Sequence, residues 1–183
     1  KQSIEVLCSK KKGGKAGFGD TIASVRLTPI KIKVHFNIIR DDKKNYPGKM
    51  NYSNAIRYIK NLILNANSVW KQGLVELKYS GYAIHNSSKY YDMKWEYLSL
   101  LAKNKWEKKN YLNVYLVNTL YKKNGISLPA CFGKVIVINY NSNVADAGNT
   151  LAHETGHFLG IHHDSAKKKS SNLMYVPGRS GQS

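Results

Sequence analysis

The amino-acid sequence predicts an α+β fold in which two main helices pack on one twisted, mixed β-sheet. Residues 30–39, "IKIKVHFNII", alternate apolar and polar side chains, which is the period of a β-strand. Residues 52–73 instead repeat their apolar side chains with the period of an amphipathic helix, and "VIVI" at 135–138 is typical of a buried strand. A chain of 183 residues with 42% hydrophobic content is long and apolar enough for one domain with its own core.

The first part of the chain, "KQSIEVLCSKKKGGKAGFGD", mixes charge and glycine without a helical or strand period. We therefore expect residues 1–20 to be a loop-like N-terminal segment and residues 21–183 to be a single domain. In the strand at 30–39 every second residue is apolar, which predicts a half-buried strand. Its inner side would carry Ile30, Ile32, Val34, Phe36 and Ile38.

Residues 52–73, "YSNAIRYIKNLILNANSVWKQG", should form the first main helix. Ser53 is suited to cap its N-terminus, and Gly73 is suited to end it. Residues 74–84, "LVELKYSGYAI", are expected to form a second strand. The apolar stripe of the helix consists of Ile56, Ile59, Leu62, Ile63, Ala66, Val69 and Trp70.

The stretch at 88–109 is rich in lysine and aromatic residues. Within it, "MKWEYLSLLAKNKWEKK" has a helical period, which favours an amphipathic surface helix. The same mixture of basic and aromatic residues can bind single-stranded nucleic acid, so both interpretations stand. The apolar face of this helix would consist of Trp95, Leu98, Leu101 and Ala102.

The strongest strand predictions are residues 111–120 and 133–140, with a turn-rich segment between them. Residues 141–150, "NSNVADAGNT", predict a loop that leads into the second main helix. Either Asn149 or Thr150 could cap that helix.

The chain carries 29 Lys and Arg residues against 11 Asp and Glu residues, which gives a net charge of +18. Such a field attracts anionic partners such as nucleic acid, acidic glycans, lipid surfaces or acidic proteins. A high lysine content also serves solubility, so charge alone does not choose a partner. The sequence does not select an oligomeric state either.

Three features bear on the compartment. No apolar run approaches the ~18 residues that a spanning helix needs, so we expect no transmembrane segment. The two cysteines, Cys8 and Cys131, would form one disulfide if they pair, which would indicate an oxidising compartment. The chain starts at Lys1 rather than at a methionine, as a processed secreted protein would, and we expect secretion.

The segment "TLAHETGHFLGIHHD" at 150–164 has the spacing of a metal site. Residues four apart on a helix lie about 40° from each other around the axis, so His153 and His157 present their imidazoles on one face. Gly160 suits a turn that ends the helix and brings His163 back as a third ligand. Three imidazoles and a water make the open site of an enzyme, whereas a closed structural site uses four protein ligands, usually including cysteine. We therefore expect one catalytic Zn²⁺ ion.

Glu154 follows the first histidine of this site and is placed to act on a zinc-bound water. Zinc lowers the pKa of its bound water to about 7 and polarises a carbonyl oxygen. Glu154 would take the proton of that water and pass it to the leaving amine, which hydrolyses an amide bond. His162 has the wrong register for a ligand, and His35 and His85 are expected to be ordinary strand histidines.

Residues 153–163 match HExxHxxGxxH, and in this the chain resembles the metzincin clan of zinc endopeptidases. Metzincins also have a Met-turn, whose methionine lies beneath the metal site without being a ligand, and Met174 in "SSNLMYV" is the matching residue. The resemblance implies an upper subdomain with the sheet and both main helices up to about residue 163, and a short irregular lower subdomain at 164–183. The His-Asp ending at Asp164 is similar to the adamalysin (reprolysin) group, while "LMY" is closer to the matrixins, so the subfamily stays open.

The resemblance also implies how substrate would bind. In metzincins an edge strand before the buried one pairs with extended substrate, and here it should fall near Leu128–Gly133. The segment after the Met-turn forms a wall of the specificity pocket, which Val176 and Pro177 would line. In some metzincin zymogens an upstream cysteine blocks the zinc, a role that Cys8 could have instead of a disulfide.

The sequence thus predicts a secreted zinc-dependent endopeptidase that acts on proteins or peptides. Its charge could hold the enzyme at an anionic surface or favour acidic substrates. Two alternatives remain open. One is a cationic module that binds nucleic acid or acidic glycan on a metzincin scaffold, and the other is a zinc amidase that acts on a non-protein substrate.

Overall fold

The structure, a computed structural model, describes residues 4–8, 23–102, 105–121, 123–127, 135–140, 144–163 and 173–174. In chain order its strands are β1 (Ile4–Cys8), β2 (Ala23–Leu27), β3 (Ile30–Arg40), β4 (Val75–Asn86), β5 (Asp92–Met93), β6 (Leu112–Val117), β7 (Thr119–Leu120), β8 (Gly125–Ser127) and β9 (Val135–Asn139). Its helices are α1 (Tyr52–Trp70), α2 (Ser88–Tyr91), α3 (Leu98–Ala102) and α4 (Val144–Phe158). In these parts of the chain, no helix combines the length and the apolar content needed to cross a membrane.

Five strands form the central sheet in the order β4-β3-β6-β9-β8. The first four run parallel, with β3 paired to both β4 and β6, and β9 paired to β6. Strand β8 runs antiparallel to β9 and forms one edge, so the sheet is mixed as the sequence predicts. The strands predicted at 74–84 and 133–140 are confirmed, apart from small shifts of their ends. The single strand predicted at 111–120 is instead divided into β6 and β7, which belong to different sheets.

Strand β3 is more deeply buried than its alternating sequence predicts. Its side chains are buried on both faces from Val34 to Ile39, not on one. The prediction of a half-buried strand is wrong here because β3 lies between β4 and β6, and the segment that contains α3 covers the second face. The polar residues His35 and Asn37 are therefore part of the interior.

Helices α1 and α4 pack side by side on one face of the sheet and enclose the larger core. The indole Nε1 of Trp70, at the end of α1, donates to the carbonyl oxygen of Ala152 in α4 at 3.2 Å. A Cβ on Gly148 of α4 would collide with the side chain of Asn65 in α1, so glycine allows this close approach. Burial of apolar area between the sheet and the helices holds this layer together. Its members include Val34, Phe36, Ile59, Leu62, Val114, Ile136 and Leu151.

The ends of α1 differ in detail from the prediction. Asn51 rather than Ser53 caps the N-terminus, because its backbone is extended and its side-chain oxygen accepts from a backbone N–H of the first turn at 2.9 Å. At the other end a 3₁₀ turn runs to Gly73, and Leu74, with φ of 53°, takes the left-handed conformation. Gly73 is not the left-handed residue that ends the helix. It is required because a Cβ at this position would lie 2.9 Å from the ring of Trp70.

The second face of the sheet is covered by short helices rather than by one long amphipathic helix. The sequence predicts a helix at 93–109, but over the stretch 88–109 the structure has α2, the extended β5, a 3₁₀ turn and α3. Strand β5 pairs with β7, and residues that pair in a strand cannot also belong to a helix. Leu98 and Leu101 are buried as predicted, but Trp95 is 60% exposed.

Two segments predicted to be loops contain regular structure. Residues 4–8 lie within the segment predicted to be loop-like, yet they form β1, which pairs antiparallel with β2. This strand depends on a partner farther along the chain, which a local pattern does not show. Helix α4 begins at Val144, so Asn149 and Thr150 lie inside it and neither is its N-cap. Alanine residues in its first turns favour the helix over the loop that the polar residues suggest.

Part of what the sequence predicts falls outside the described residues. Cys131 lies there, and so does most of the lower subdomain predicted at 164–183. The pairing of Cys131 with Cys8 and the division of the chain at residue 21 stay predictions.

Candidate metal centre

Helix α4 ends at Phe158, one residue after the second histidine of the motif. Gly160 then adopts a φ of 87°, in the left-handed region that favours glycine, and the N–H of Ile161 donates to the carbonyl oxygen of Gly156 at 2.9 Å. This turn reverses the chain and directs His163 back toward the helix. The predicted turn at Gly160 is confirmed.

Three imidazoles converge at this turn. The Nε2 atom of His163 lies 3.1 Å from Nε2 of His153 and 2.9 Å from Nε2 of His157. One nitrogen from each ring lies within 4.8 Å of the others, so the group could hold a metal ion. His162, the neighbour of the third histidine, is exposed and does not belong to the group.

Backbone carbonyl groups orient two of the three rings. Nδ1 of His153 lies 2.7 Å from the carbonyl oxygen of Leu173, and Nδ1 of His157 lies 2.9 Å from that of Ile161. Because a carbonyl oxygen only accepts, each Nδ1 carries a proton and donates it. The lone pair of each neutral ring is then on Nε2, the atom that faces the other histidines. Metal-ligating histidines commonly make this second hydrogen bond.

The donor set and its spacing suit zinc. Zinc binds imidazole nitrogen at about 2.0–2.1 Å in tetrahedral geometry, which separates two ligand nitrogens by about 3.4 Å. The observed separations of 2.9 and 3.1 Å are close to that value. Three imidazoles leave the fourth position of a tetrahedral ion for water or substrate, and this is the donor set of a catalytic zinc site.

Glu154 lies beside these rings and is only 7% exposed. Burial raises the pKa of its carboxyl above the ordinary value, while His157, the backbone N–H of Ser127 and Lys123 act in the opposite direction. Because the backbone N–H of Ser127 lowers this pKa, the edge strand β8 lies beside this side chain of α4. A buried carboxyl with a raised pKa is suited to proton exchange near neutral pH.

Strand β8 approaches α4 so closely that only glycine fits at one position. A Cβ on Gly125 would collide with Cγ2 of Thr150 and would lie 3.4 Å from Cγ of Glu154. The absence of a side chain at this position therefore sets the distance between the edge strand and the motif helix.

Neither Gly125 nor Ser127 stands out in the sequence as a site residue. The edge strand is predicted near Leu128–Gly133, but the structure places an edge strand earlier, at Gly125–Ser127. Residues 128–134 lie outside the described residues. Three residues are too few to show strand alternation, and Ser127 contributes through its backbone. The one available signal is the glycine, which can mark a close approach.

Met174 lies against the motif helix. It is 5% exposed, and a Cβ on Gly156 would lie 2.6 Å from its Sδ atom and 3.8 Å from the ring of Trp70. Gly156 is the residue just before His157, and Leu173 is the residue whose carbonyl oxygen accepts from the first histidine. Met174 thus packs where the resemblance to metzincins puts the methionine of the Met-turn, and its assignment to such a turn stays a prediction.

Three predicted site residues, Asp164, Val176 and Pro177, lie outside the described residues. Their roles beside the third histidine and in the specificity pocket stay predictions. His35 and His85 lie in β3 and β4 and do not belong to the group of three histidines.

No protein family and no curated protein matches the chain, but solved structures do. A chain from a chaperone–substrate complex aligns with a TM-score of 0.59 and 16% identity over 80% of this chain. Mature mirolysin from Tannerella forsythia, in complex with a cleaved peptide, aligns with a TM-score of 0.53 and 18% identity over 75% of this chain. Metalloproteinase-II from Bacteroides fragilis aligns with a TM-score of 0.49 and 18% identity over 80% of this chain.

The fold is metzincin-like. The mixed, mostly parallel sheet with its two main helices matches the first two of these structures, which confirms the predicted fold class. This chain spans 26%, 66% and 46% of the length of the three chains, in the order given above. At this identity the likeness concerns the fold alone, so an activity has to be argued from the residues of the site.

Proposed function

We propose that this chain is a zinc-dependent endopeptidase that hydrolyses peptide bonds in proteins or peptides. The observation that carries the proposal is the convergence of Nε2 atoms from His153, His157 and His163 beside the buried carboxyl of Glu154. The metzincin-like fold supports it, and the mirolysin structure with that fold holds a cleaved peptide.

The three histidines would hold the zinc ion through Nε2. When bound, zinc supplies a water whose pKa falls to about 7 and polarises the carbonyl oxygen of the scissile bond. The carboxylate of Glu154 takes a proton from the attacking water and donates it to the amide nitrogen as the C–N bond breaks. The carbonyl groups of Leu173 and Ile161 keep two imidazole rings in the tautomer and orientation that this requires.

Strand β8 offers an edge that can bind the main chain of a substrate. It is the last strand of the central sheet, so its outer side has no strand partner in the part of the chain that the structure describes. Since Gly125 of this strand lies against the side chain of Glu154, a peptide paired with β8 would lie beside the site. Backbone pairing holds many sequences in the same register, which suits an endopeptidase.

We also propose that the enzyme is secreted, where a net charge of +18 would attract it to anionic surfaces. Fractionation of cells that express the full-length protein, followed by immunoblotting, tests this. Recovery of the mature chain in the cytoplasm alone would contradict secretion.

The peptidase proposal is tested by cleavage of a diverse peptide library with zinc-loaded protein, beside Glu154→Gln and a chelator-treated sample. We expect the wild type to cut peptides and Glu154→Gln to be at least ~100-fold slower, because general acid–base catalysis contributes about 10²–10⁴-fold. Glutamine keeps the size of the side chain, so this variant should bind as much zinc as the wild type. Zinc content then separates loss of the base from loss of the metal.

Cleavage by Glu154→Gln at the wild-type rate would contradict the mechanism. A folded, zinc-loaded wild type that leaves every peptide intact but hydrolyses small amides would instead support the zinc amidase. The same protein tested on both substrate classes therefore decides between the two hydrolases.

A further inference from the structure

The face of the sheet opposite α1 and α4 carries exposed lysines near the N-terminal ends of β3 and β4. Val34 of β3 points into the core beside the helices, so Lys31 and Lys33 point to the opposite face. In the parallel pairing of β3 with β4, Lys33 stands opposite Lys78 and Lys31 stands opposite Glu76. Paired residues point to the same face, and like charges directly opposite each other lower stability. An anionic partner would therefore reduce the repulsion between Lys33 and Lys78.

The loop before β6 adds a fourth lysine to this face. Nζ of Lys108 lies 4.4 Å from the ring centroid of Tyr111, and Nζ of Lys33 lies 5.9 Å from the same centroid. Both are cation–π distances, so one phenol ring holds ammonium groups from two segments of the chain near each other. We call Lys31, Lys33, Lys78 and Lys108 the lysine face.

Local acidic groups do not neutralise the lysine face. Glu76 forms an ion pair with Lys78, but the two side chains are 35% and 51% exposed, so solvent screens the pair and it contributes little. On the two strands and the loop, the four ammonium groups of the lysine face stand against two carboxylates, those of Glu76 and Glu107. In a chain with a net charge of +18, the surface around them attracts anions.

The spacing of these lysines fits an extended acidic peptide. Side chains two residues apart on a strand are about 6.6 Å apart, and an extended peptide places its own alternate side chains at the same interval. Strand β4 forms the other edge of the central sheet, and the described residues include no strand on its outer side. A peptide added to this edge would pair its backbone with β4 and direct its alternate carboxylates to the face that carries Lys78 and Lys33, with Glu76 two residues before Lys78 on the same face.

We propose that the lysine face and the adjoining edge of β4 form a docking site for an acidic peptide segment in extended conformation. The site lies on the opposite face of the sheet from α4, and so it is separate from the metal centre. Its use as an exosite for protein substrates rests on the proposed peptidase function, whereas its capacity to bind does not.

Single-stranded nucleic acid suits this face less well. Such binding depends on bases that stack on free aromatic rings. The ring of Tyr111 is already contacted by Lys33 and Lys108, and the ring of His35 approaches it edge-on at 6.3 Å between centroids. We therefore expect the lysine face to bind an acidic peptide more tightly than a single-stranded nucleic acid.

The test measures binding of a short labelled peptide that alternates aspartate and threonine, by fluorescence anisotropy. The protein is the Glu154→Gln variant, so that the peptide is not cut. Lys33→Gln, Lys78→Gln and Lys108→Gln are combined in the face variant. We expect this variant to bind the peptide at least ~10-fold more weakly, with a smaller dependence on salt concentration.

The matched control combines Lys43→Gln, Lys60→Gln and Lys71→Gln, which removes the same net charge from exposed positions elsewhere. We expect it to lose less than ~3-fold in affinity. Equal losses in the two variants would overturn the proposal, because the attraction would then be that of the whole chain.

A peptide of the same composition with its aspartates in one block should bind more weakly, and equal binding would overturn the extended geometry. Tighter binding of heparin or of an oligothymidylate, with the same lysine dependence, would overturn the peptide assignment.

A kinetic readout separates this proposal from the proposed function. With Glu154 restored, the face variant should cut a short neutral peptide at the wild-type rate, while KM should rise only for a substrate that carries the acidic segment. Complete absence of peptidase activity would remove the proposed function and the exosite role. The docking site would still be supported, because the anisotropy measurement of peptide binding does not depend on catalysis.

Discussion

The backbone N–H of Ser127 lowers the pKa of the Glu154 carboxyl, so the edge strand β8 and helix α4 meet at the proposed general base. The sheet does not use this N–H. Asn124 accepts from the N–H of Asn139 between β8 and β9, and alternation along an antiparallel pair then leaves Ser127, opposite Ile136, without ladder bonds to β9. The strand can therefore hold Glu154 without losing any of its own pairing.

Replacement of Ser127 by proline should remove this donor and leave the ladder intact, because proline is tolerated where an edge N–H faces outward. A hydrogen bond to a charged group contributes about 1.5–3 kcal/mol, so we expect kcat to fall roughly 10–100-fold. Zinc content and KM should change little. Ser127→Ala keeps the N–H and is the control in steady-state kinetics. Equal kcat values for the two variants would show that the N–H has no role in positioning Glu154.

Adjacent histidines provide a second test, because His163 lies within the group of three rings and His162 does not. We expect His163→Ala to weaken zinc binding at least ~100-fold and His162→Ala to leave it nearly unchanged. Competition with a chromophoric chelator measures both. At a zinc concentration of about 100 times Kd, a bound ion adds at most about 2.7 kcal/mol to the free energy of unfolding. Zinc should therefore raise the melting temperature of the wild type and of His162→Ala, but not that of His163→Ala; the reverse pattern would exclude the assigned ligand.

The contact between β8 and α4 predicts a rescue experiment. Gly125→Ala would push a Cβ into Cγ2 of Thr150, and overpacking of this kind costs about 1–3 kcal/mol. Thr150→Ser removes that methyl group, so the double variant should regain most of the lost stability. Urea unfolding of the wild type, the two single variants and the double variant measures the coupling. If Gly125→Ala alone is as stable as the wild type, the two elements are not as close as described.

One buried and one half-buried histidine, His35 and His85, predict how stability depends on pH. Burial lowers the pKa of His35, with a further contribution from Lys108, and burial also lowers the pKa of His85, with a contribution from His35. His85 is held by Asn37, whose Oδ1 lies 3.0 Å from its Nε2, and its ring stacks on Trp106 at 4.3 Å between centroids. Both rings are therefore stable in the neutral form.

The direction of the pH effect follows from proton binding. Between the lowered pKa of a folded-state histidine and its unfolded value of about 6.5, the unfolded chain binds more protons, so stability falls as the pH decreases through this window. We expect the free energy of unfolding to drop as the pH falls below about 6.5, and to drop less in His85→Gln. Both proteins are measured after chelation, so that the ligand histidines contribute equally and cancel in the difference. Identical pH dependence in the two proteins would rule out His85 as a contributor.

Local patterns made much of the fold predictable. The apolar stripe of α1 and the β-branched run of β9 depend only on residues close in sequence, and both elements form where they are predicted. The predictions that are wrong concern strands whose environment depends on segments distant in sequence. Strand β1 depends on β2, and the burial of both faces of β3 depends on a cover from the α3 segment. A single-sequence pattern holds no information on such partners.

The same division applies to the candidate site. Its three histidines and the turn at Gly160 follow from spacing on a helix and from the backbone freedom of glycine. Leu173 and Ser127 could not be found in this way, because each contributes through a backbone atom that every residue type has. Side-chain chemistry can therefore be predicted from the sequence, but the backbone contacts that orient it require the folded chain.

The three histidines fall within the eleven residues 153–163, and this affects how zinc and folding are linked. An unfolded chain can bring them together by closing short loops at small entropic cost, so it will also bind zinc. A ligand stabilises a protein only by its preference for the native state, and zinc should therefore raise stability less than its native affinity alone implies. The hydrogen bond from His153 to Leu173 and the packing of Met174 on Gly156 belong to the native state. These remote contacts, rather than the ligands themselves, would set how strongly zinc favours the folded chain.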